Sequence, residues 1–467
     1  MVSQLLSLSV TMLVAALAPF VASVVPGRAI PEVVFLVFAG ALLGPYGVDV
    51  IRSSGGALSL ISELGMAFLF LQAGYEIRPA ELVGPMGKHA SICWGASMVA
   101  AIALVSLTGF SRFTGMAGVA FAIMLTTTAY GTLAPIMRAR DLTNTPVGRA
   151  VTAYGATGEV LPVIAVALLL STRSLLVTVA VLVAFLFVCV RIARLSTSTA
   201  RIGARFRDFV RSSAGSSTQT PLRLVVLLLV FLVFLAEVAG FDAVLGAFAA
   251  GFVLRVFSPD GNRELEERIE AIGNGFLIPA FFVISGAGID LSAAFSDPGL
   301  LFLFIGLLVA VRGVSVAISL HVNPETREMS PQERFVTTAY CVMALPLVVA
   351  ITRIVVDAGA MTTEDASVLV TAGAVTVLVI PILTSLVRVA APAHPVHALT
   401  SIVSGKESAD EALARQRRAL QTSRRRFEAA KARRRRELGR GLSSAEFIAR
   451  QSGEDESAVG PSDQTRR

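Results

Sequence analysis

Apolar residues run in blocks of roughly 17 to 23 positions, the length at which a helix crosses about 30 Å of hydrocarbon. Short polar or basic segments separate the blocks. The pattern predicts about thirteen spans, at roughly 8–26, 32–50, 57–76, 90–110, 115–138, 149–170, 173–192, 221–239, 241–257, 272–289, 299–320, 332–355 and 366–389. Several are rich in Gly, Ala, Ser and Thr, which fits helices packed closely against helices. The narrowest division is Gly240, between the eighth and ninth spans.

Composition agrees with this pattern. Of 467 residues, 54% are hydrophobic and 16% charged, too little charge to cover a soluble surface. The expected fold is an all-α polytopic membrane protein of residues 1–390, followed by a basic tail, 391–467.

A net charge of +7 admits a nucleic-acid partner, but its distribution argues against one. Arg28, Arg78, Lys88, Arg138, Arg140, Arg149, Arg191, Arg194, Arg201, Arg205, Arg207, Arg211, Arg255, Arg263, Arg268, Arg327 and Arg334 all follow odd-numbered spans. The other side holds Arg52, Arg112 and Arg173 with Asp290, Asp297, Asp357 and Asp365. The positive-inside rule puts the N-terminus outside and the C-terminus in the cytoplasm of the cell's inner membrane. The tail's runs Arg424 to Arg426 and Arg433 to Arg436 agree. The N-terminus lacks a basic region and a small-residue cleavage site, so it reads as a first span.

The tail has an Ala/Arg/Glu-rich stretch near 408–439 that reads as helix and a polar end that reads as disordered. It is either a solvated extension or a contact for anionic lipid headgroups. It holds no glycine-rich phosphate loop and is too short for a nucleotide-binding domain with a complete βαβ sheet. Cys93, Cys189 and Cys341 fall in apolar segments without metal-binding spacing, and the four histidines match no zinc motif. No nucleophile–base pair or cofactor motif points to an enzyme.

One acid stands out. Glu159 lies in the middle of the sixth span, after Gly155 and Gly158 and before Pro162. An isolated intramembrane charge is costly and marks either an ion pathway or a structural pair. Desolvation favours the protonated form of a carboxylate, while its ionised form can coordinate an alkali cation. Pro162 removes a backbone donor and loosens the local ladder. Arg312, in the middle of the eleventh span, needs an acid or several carbonyls, and Glu159 matches it in depth. A helix-end cap or a different structural pair is the alternative for Arg312.

Two spans read as interrupted. The fifth contains Thr126, Thr127, Thr128, Gly131 and Pro135; the twelfth contains Pro346. Discontinuous helices at mid-membrane expose carbonyls and helix ends that can bind an ion. Kinked but continuous helices are the ordinary alternative. Glu32, Glu63, Glu76, Glu237 and Asp242 read as boundary or capping residues.

Residues 30–45 (IPEVVFLVFAGALLGP), 63–77, 124–137, 236–254 and 275–291 (GFLIPAFFVISGAGIDL) form an ordered set of motifs. Together they resemble the monovalent cation:proton antiporter superfamily, in its Kef-like and bacterial sodium/proton exchanger branch. The resemblance covers about 8–389. It implies two inverted repeats, spans two to six and nine to thirteen. It also implies a core domain with two crossed discontinuous helices, a dimer domain and a homodimer. It puts the ion-binding acid on Glu159 and the basic partner on Arg312. Many relatives carry Asp at the acid position after a polar residue, whereas here the pair is Gly158–Glu159.

The expected function is secondary active antiport of H⁺ against Na⁺ or K⁺, without a cofactor or any metal beyond the transported cation. A single acid suggests electroneutral exchange. The alternatives are a channel-like cation pathway and a non-transporting membrane sensor or scaffold.

Overall fold

The computed structural model describes residues 2–390, apart from 25–30, 53–55, 108–112, 141, 144, 171–174, 199–219, 259–260 and 262. The chain divides into two units, Met1–Leu386 and Val387–Arg467, and the fold described is that of the first. The expected tail helix and its polar end lie outside the described residues, as do Arg28, Arg112, Arg173 and the arginines from Arg201 to Arg211.

Every regular element among the described residues is a helix. In chain order the helices are α1 (Val2–Val24), α2 (Glu32–Leu43), α3 (Ala57–Glu76), α4 (Pro79–Val83), α5 (Pro85–Leu107) and α6 (Gly115–Met124). There follow α7 (Tyr130–Ala139), α8 (Pro146–Leu169), α9 (Leu175–Ser198), α10 (Thr220–Val238) and α11 (Ala243–Phe257). The last are α12 (Arg263–Ala287), α13 (Leu291–Ser296), α14 (Pro298–Val322), α15 (Pro331–Tyr340), α16 (Pro346–Asp357) and α17 (Thr363–Ala390). Helices α12 and α14 each contain a π-helical turn, at Gly273–Leu277 and Val309–Gly313.

Among the described residues, eight helices are long and apolar enough to cross a membrane: α1, α3, α5, α8, α10, α12, α14 and α17. Glu32–Leu43, Gly115–Met124, Leu176–Arg191 and Ala243–Phe257 are apolar but shorter. The molecule is an all-α polytopic membrane protein, but helix length by itself does not deliver thirteen spans. The tenth block also starts earlier than expected, because the polar segment Arg263–Ile272 joins the apolar helix through the π turn.

Local chemistry sets the boundaries. Gly240 takes φ +78° in the turn between α10 and α11, a conformation that suits glycine. Asp242 then caps α11 by accepting from the Val244 N–H at 2.9 Å. Thr145 caps α8 in the same way, accepting from Gly148 N–H at 3.1 Å, with Pro146 in the first turn. Ser330 and Glu333 form a reciprocal capping box on α15.

The helices pack in two main groups that touch each other. In the first, α3 lies against α11 and α12, α2 and α1 against α12, and α10 against α11. Its contacts are glycine-to-backbone and reciprocal. A Cβ on Gly74 would strike Phe248 O, and one on Gly251 would strike Leu71 O. Gly40 and Gly286 meet Val283 O and Val37 O across the α2–α12 seam. Such contact needs small residues, and without a hydrophobic driving force in lipid, close packing holds helices together. In the second group α8 is surrounded by α5, α6, α7 and α15, with α14 on α5 and α16 on α6. This group carries the two interrupted helices.

Candidate ion-binding site

Helix α6 stops at Met124 because three consecutive threonines turn the chain. The Thr126 and Thr127 N–H groups donate to Ile123 O (2.9 Å) and Met124 O (3.3 Å). Their hydroxyls donate to the same carbonyls, at 2.8 and 2.9 Å. Carbonyls that a helix end leaves open are thereby satisfied inside the membrane. Thr128 turns away from α6. Its N–H donates to Gly158 O at 2.8 Å and its hydroxyl to Cys341 O at 2.7 Å. Ala129 N–H donates to Met343 O at 2.7 Å. The second break spans Cys341–Leu345, so backbone hydrogen bonds tie break to break and the two helices cross there.

Gly131 and Pro135 both fall in α7, downstream of the first break, which lies at Leu125–Ala129. The break is made by threonine hydroxyls rather than by Gly or Pro. Pro346 opens α16, where its missing N–H costs no helical bond. Pro162 lies inside α8, which continues to Leu169.

Glu159 sits on α8 with 2% of its surface exposed. Its Oε2 accepts from the Gly131 N–H at 3.3 Å. The carboxylate therefore faces the start of α7, where the helix dipole favours negative charge.

Arg312 is fully buried, at 0% exposure, in the π turn of α14. Such turns insert one residue into a helix and often occur at functional sites. Its Nε donates to Thr128 Oγ1 (3.2 Å) and its Nη2 to Tyr154 O (2.7 Å). Nη1 has no hydrogen-bond partner among the described residues. Arg312 and Glu159 flank the same crossing through Thr128 and Gly158, yet no ion pair joins them in this conformation. Arg312 is held by a hydroxyl and a carbonyl instead.

Gly158 explains that arrangement. A Cβ there would collide with Arg312 Nη2 and would stand 2.6 Å from Thr128 Oγ1 and 2.9 Å from Thr128 Cβ. The guanidinium occupies the space that a side chain at position 158 would need. Gly155, one turn earlier, faces Tyr130 instead, with Cδ2 at 3.0 Å.

Of the five residues read as ion-binding or helix-breaking besides Glu159 and Pro346, Thr128 alone bridges both interrupted helices and Arg312. Thr126 and Thr127 serve the end of α6. Sequence reasoning missed Tyr154, whose carbonyl holds Arg312 and whose hydroxyl lies 2.7 Å from Ser319 Oγ. Its one-turn spacing before Gly158 is the only signal in the chain. It also missed Arg140, which donates to Tyr340 OH (2.9 Å), Thr384 Oγ1 (3.3 Å) and Pro381 O (3.1 Å).

Comparison with known proteins follows the same outline. A family described as "Sodium/hydrogen exchanger, transmembrane" matches residues 11–389. YjbQ of Bacillus subtilis, a candidate Na⁺/H⁺ antiporter, is 26% identical over 304 residues, covering 60% of this chain and 47% of its own. The high-affinity Na⁺/H⁺ antiporter NhaS3 of Synechocystis sp. is 26% identical over 293 residues, covering 61% of each chain. The chain thus spans about half the length of the curated relatives it matches. The solved sodium proton antiporter MjNhaP1 of Methanocaldococcus jannaschii has the same fold, with a TM-score of 0.55 at 17% identity, covering 82% of this chain and 96% of that one. The likeness is to the sodium/proton exchanger branch and not specifically to its Kef-like part. With a match from residue 11 to residue 389, the chain belongs to the sodium/hydrogen exchanger transmembrane family of the monovalent cation:proton antiporter superfamily.

Proposed function

We propose that this chain is a secondary active antiporter exchanging H⁺ for Na⁺ or K⁺, electroneutrally, with Glu159 as the group that binds each in turn. The observation that carries the reading is a buried carboxylate at the start of α7, between two interrupted helices. A carboxylate can hold a proton or a cation but not both, and that exclusion couples the two flows.

Arg312 is the charge partner in this reading, and the single acid sets the stoichiometry. Ionised Glu159 with Arg312 sums to zero. Binding one proton or one monovalent cation brings either loaded state to the same net charge. Both legs of the cycle then carry equal charge across the membrane, which is electroneutral exchange. Thr128 holds Arg312 beside the crossing, and Thr126 and Thr127 keep the end of α6 in place.

The wider frame is thirteen spans with inverted repeats, an outside N-terminus and a cytoplasmic C-terminus in the plasma membrane. In that frame the protein acts as a homodimer, and its basic tail, 391–467, meets anionic lipid.

Everted vesicles test the reading. Added Na⁺ or K⁺ dissipates an imposed proton gradient, and Glu159→Gln abolishes the response while yield and elution profile are kept. No response to Na⁺, K⁺ or Li⁺ from mildly acidic to alkaline pH overturns it, as does a fully active Glu159→Gln. Current uncoupled from H⁺ would favour a channel-like pathway instead.

A further inference from the structure

Helix α3 belongs to the glycine-packed group, yet it is tied by charge to both interrupted helices of the other group. Glu63, in its first half, lies 3.3 Å from Arg353 Nη2 on α16. Glu76, its last residue, lies 3.5 Å from Arg138 Nη2 on α7. We propose that Glu63–Arg353 and Glu76–Arg138 form a two-ended lock that fixes the register of the ion-binding core against α3, and that transport requires the lock to open. The proposal rests on the antiport reading, in which the site must face each side of the membrane in turn.

Spacing supports a lock over two chance pairs. Thirteen residues separate Glu63 from Glu76, about 20 Å along a helix. Arg353 is seven residues from the start of α16 and Arg138 eight from the start of α7, about 10 and 12 Å along helices that diverge from one crossing. The two spans match, so both pairs close together. A slide of the core along α3 by more than a few ångströms opens both, because an ion pair reaches only about 4 Å.

The surroundings fit a lock that opens readily. Arg353 is 31% exposed and Glu63 52%; Arg138 is 57% exposed and Glu76 23%. The Glu63–Arg353 pair is wet enough to be weak, and Glu76 is the least exposed of the four. Each end also has a second group. Asp357 Oδ2 lies 3.8 Å from Arg353 Nε, and Ser59 donates to Glu63 Oε1 at 3.1 Å. At the other end Glu76 Oε2 is buried without a hydrogen-bond partner among the described residues. Reciprocal glycine contacts hold α3 to α11 and α12, and no glycine contact holds it to α7 or α16 among the described residues. Helix α3 also packs on α7, and of its ties to the core the exposed ion pairs are the ones that break most readily.

The test uses the full chain in lipid nanodiscs and proteoliposomes. Glu63→Gln, Arg353→Gln, Glu76→Gln and Arg138→Gln each raise maximal exchange rate about twofold to fivefold, the range of an exposed pair, with KM for the cation unchanged in the first two. Hydrogen exchange of α16 rises in the first two and that of α7 in the last two, while α8 stays as in the parent. The swapped variant Glu63→Arg with Arg353→Glu, combined with Asp357→Asn to remove the like-charge neighbour, restores both readouts. Unchanged hydrogen exchange in α7 and α16, a change in KM alone, or failure of the swap overturns the lock. If the parent shows no cation-driven proton flux, the antiport reading fails, and the hydrogen-exchange pattern still decides whether the pairs hold the register.

Discussion

Gly158→Ala is the sharpest perturbation this site offers. The added methyl meets Arg312 Nη2, Thr128 Oγ1 and Thr128 Cβ, the last two at 2.6 and 2.9 Å. None of these can yield cheaply, since Thr128 is fixed at its N–H and hydroxyl and Arg312 at Nε and Nη2. Overpacking of a filled core costs about 1–3 kcal/mol. Loss of the guanidinium bond to Tyr154 O adds a charge-assisted hydrogen bond, about 1.5–3 kcal/mol. Partial relaxation makes the two overlap, so a destabilisation of about 2–4 kcal/mol is expected, with exchange lowered as Arg312 is displaced. Gly155→Ala is the control, because its methyl meets a tyrosine ring edge at 3.0 Å and nothing else within 3.4 Å, and costs less than about 1 kcal/mol. Thermal unfolding in mild detergent reads both variants. In a double-mutant cycle with Arg312→Met, the cost of Gly158→Ala should fall, since one of its three collisions is gone. A Gly158→Ala protein as stable and as active as the parent refutes the claim that the guanidinium fills this space.

Two further outcomes follow from the same geometry. Thr128→Val removes the donor to Cys341 O and the acceptor for Arg312 Nε, so it should cost about 2–3 kcal/mol and most of the exchange activity. Thr126→Val removes only a local bond within the end of α6 and should cost about 1 kcal/mol; thermal unfolding with vesicle exchange separates the two. At the loop before α13, hydrogen bonds from the Ser292 hydroxyl, with those from the Ser292 and Ala293 N–H groups, hold the Asp290 carboxyl below its usual pKa. A depressed pKa contributes stability above the unfolded value, lost as pH falls through the folded value. Asp290→Asn should therefore flatten the acid limb of the unfolding curve below about pH 4, and an unaltered limb rules out the cap as its source.

The sequence made the two charged centres visible because intramembrane charge is costly enough to be informative one residue at a time. Glu159 and Arg312 needed no partner to be noticed. Their relation was not visible, since depth along two spans does not say which way a side chain projects. Depth matching suggested an ion pair, whereas Arg312 turns to Thr128 and the Tyr154 carbonyl. The breaks were legible as regions and misplaced in detail. Gly131 and Pro135 drew the eye as helix breakers, but the turn is made by hydroxyls of Thr126 and Thr127 bonding back to their own helix, a role threonine also plays silently in continuous helices. The π turn that aims Arg312 has no sequence signature at all. Glu63 and Glu76 read as boundary residues because their partners lie on α16 and α7, more than 60 positions away along the chain.

Glycine does two different jobs in this chain, and the difference separates what must stay fixed from what must move. In the α2–α12 and α3–α11 seams, paired glycines bring backbone against backbone. That contact leaves no second arrangement of comparable packing, because a shift of one helix lifts both glycines off their carbonyl partners at once. At Gly158 the missing side chain makes room for a guanidinium rather than for a helix. The neighbours there are polar and hydrogen-bonded, with Nη1 unpartnered among the described residues, so on the proposed reading the pocket has bonds to exchange when a proton or cation reaches Glu159. The ties between the two groups include two ion pairs, whose energy falls gently with distance where close packing fails within an ångström. A rigid seam, an adaptable pocket and a soft charged boundary are the three mechanical properties an alternating transporter needs. In this chain each traces to a residue choice: paired glycines, one glycine beside one arginine, and two glutamates on α3.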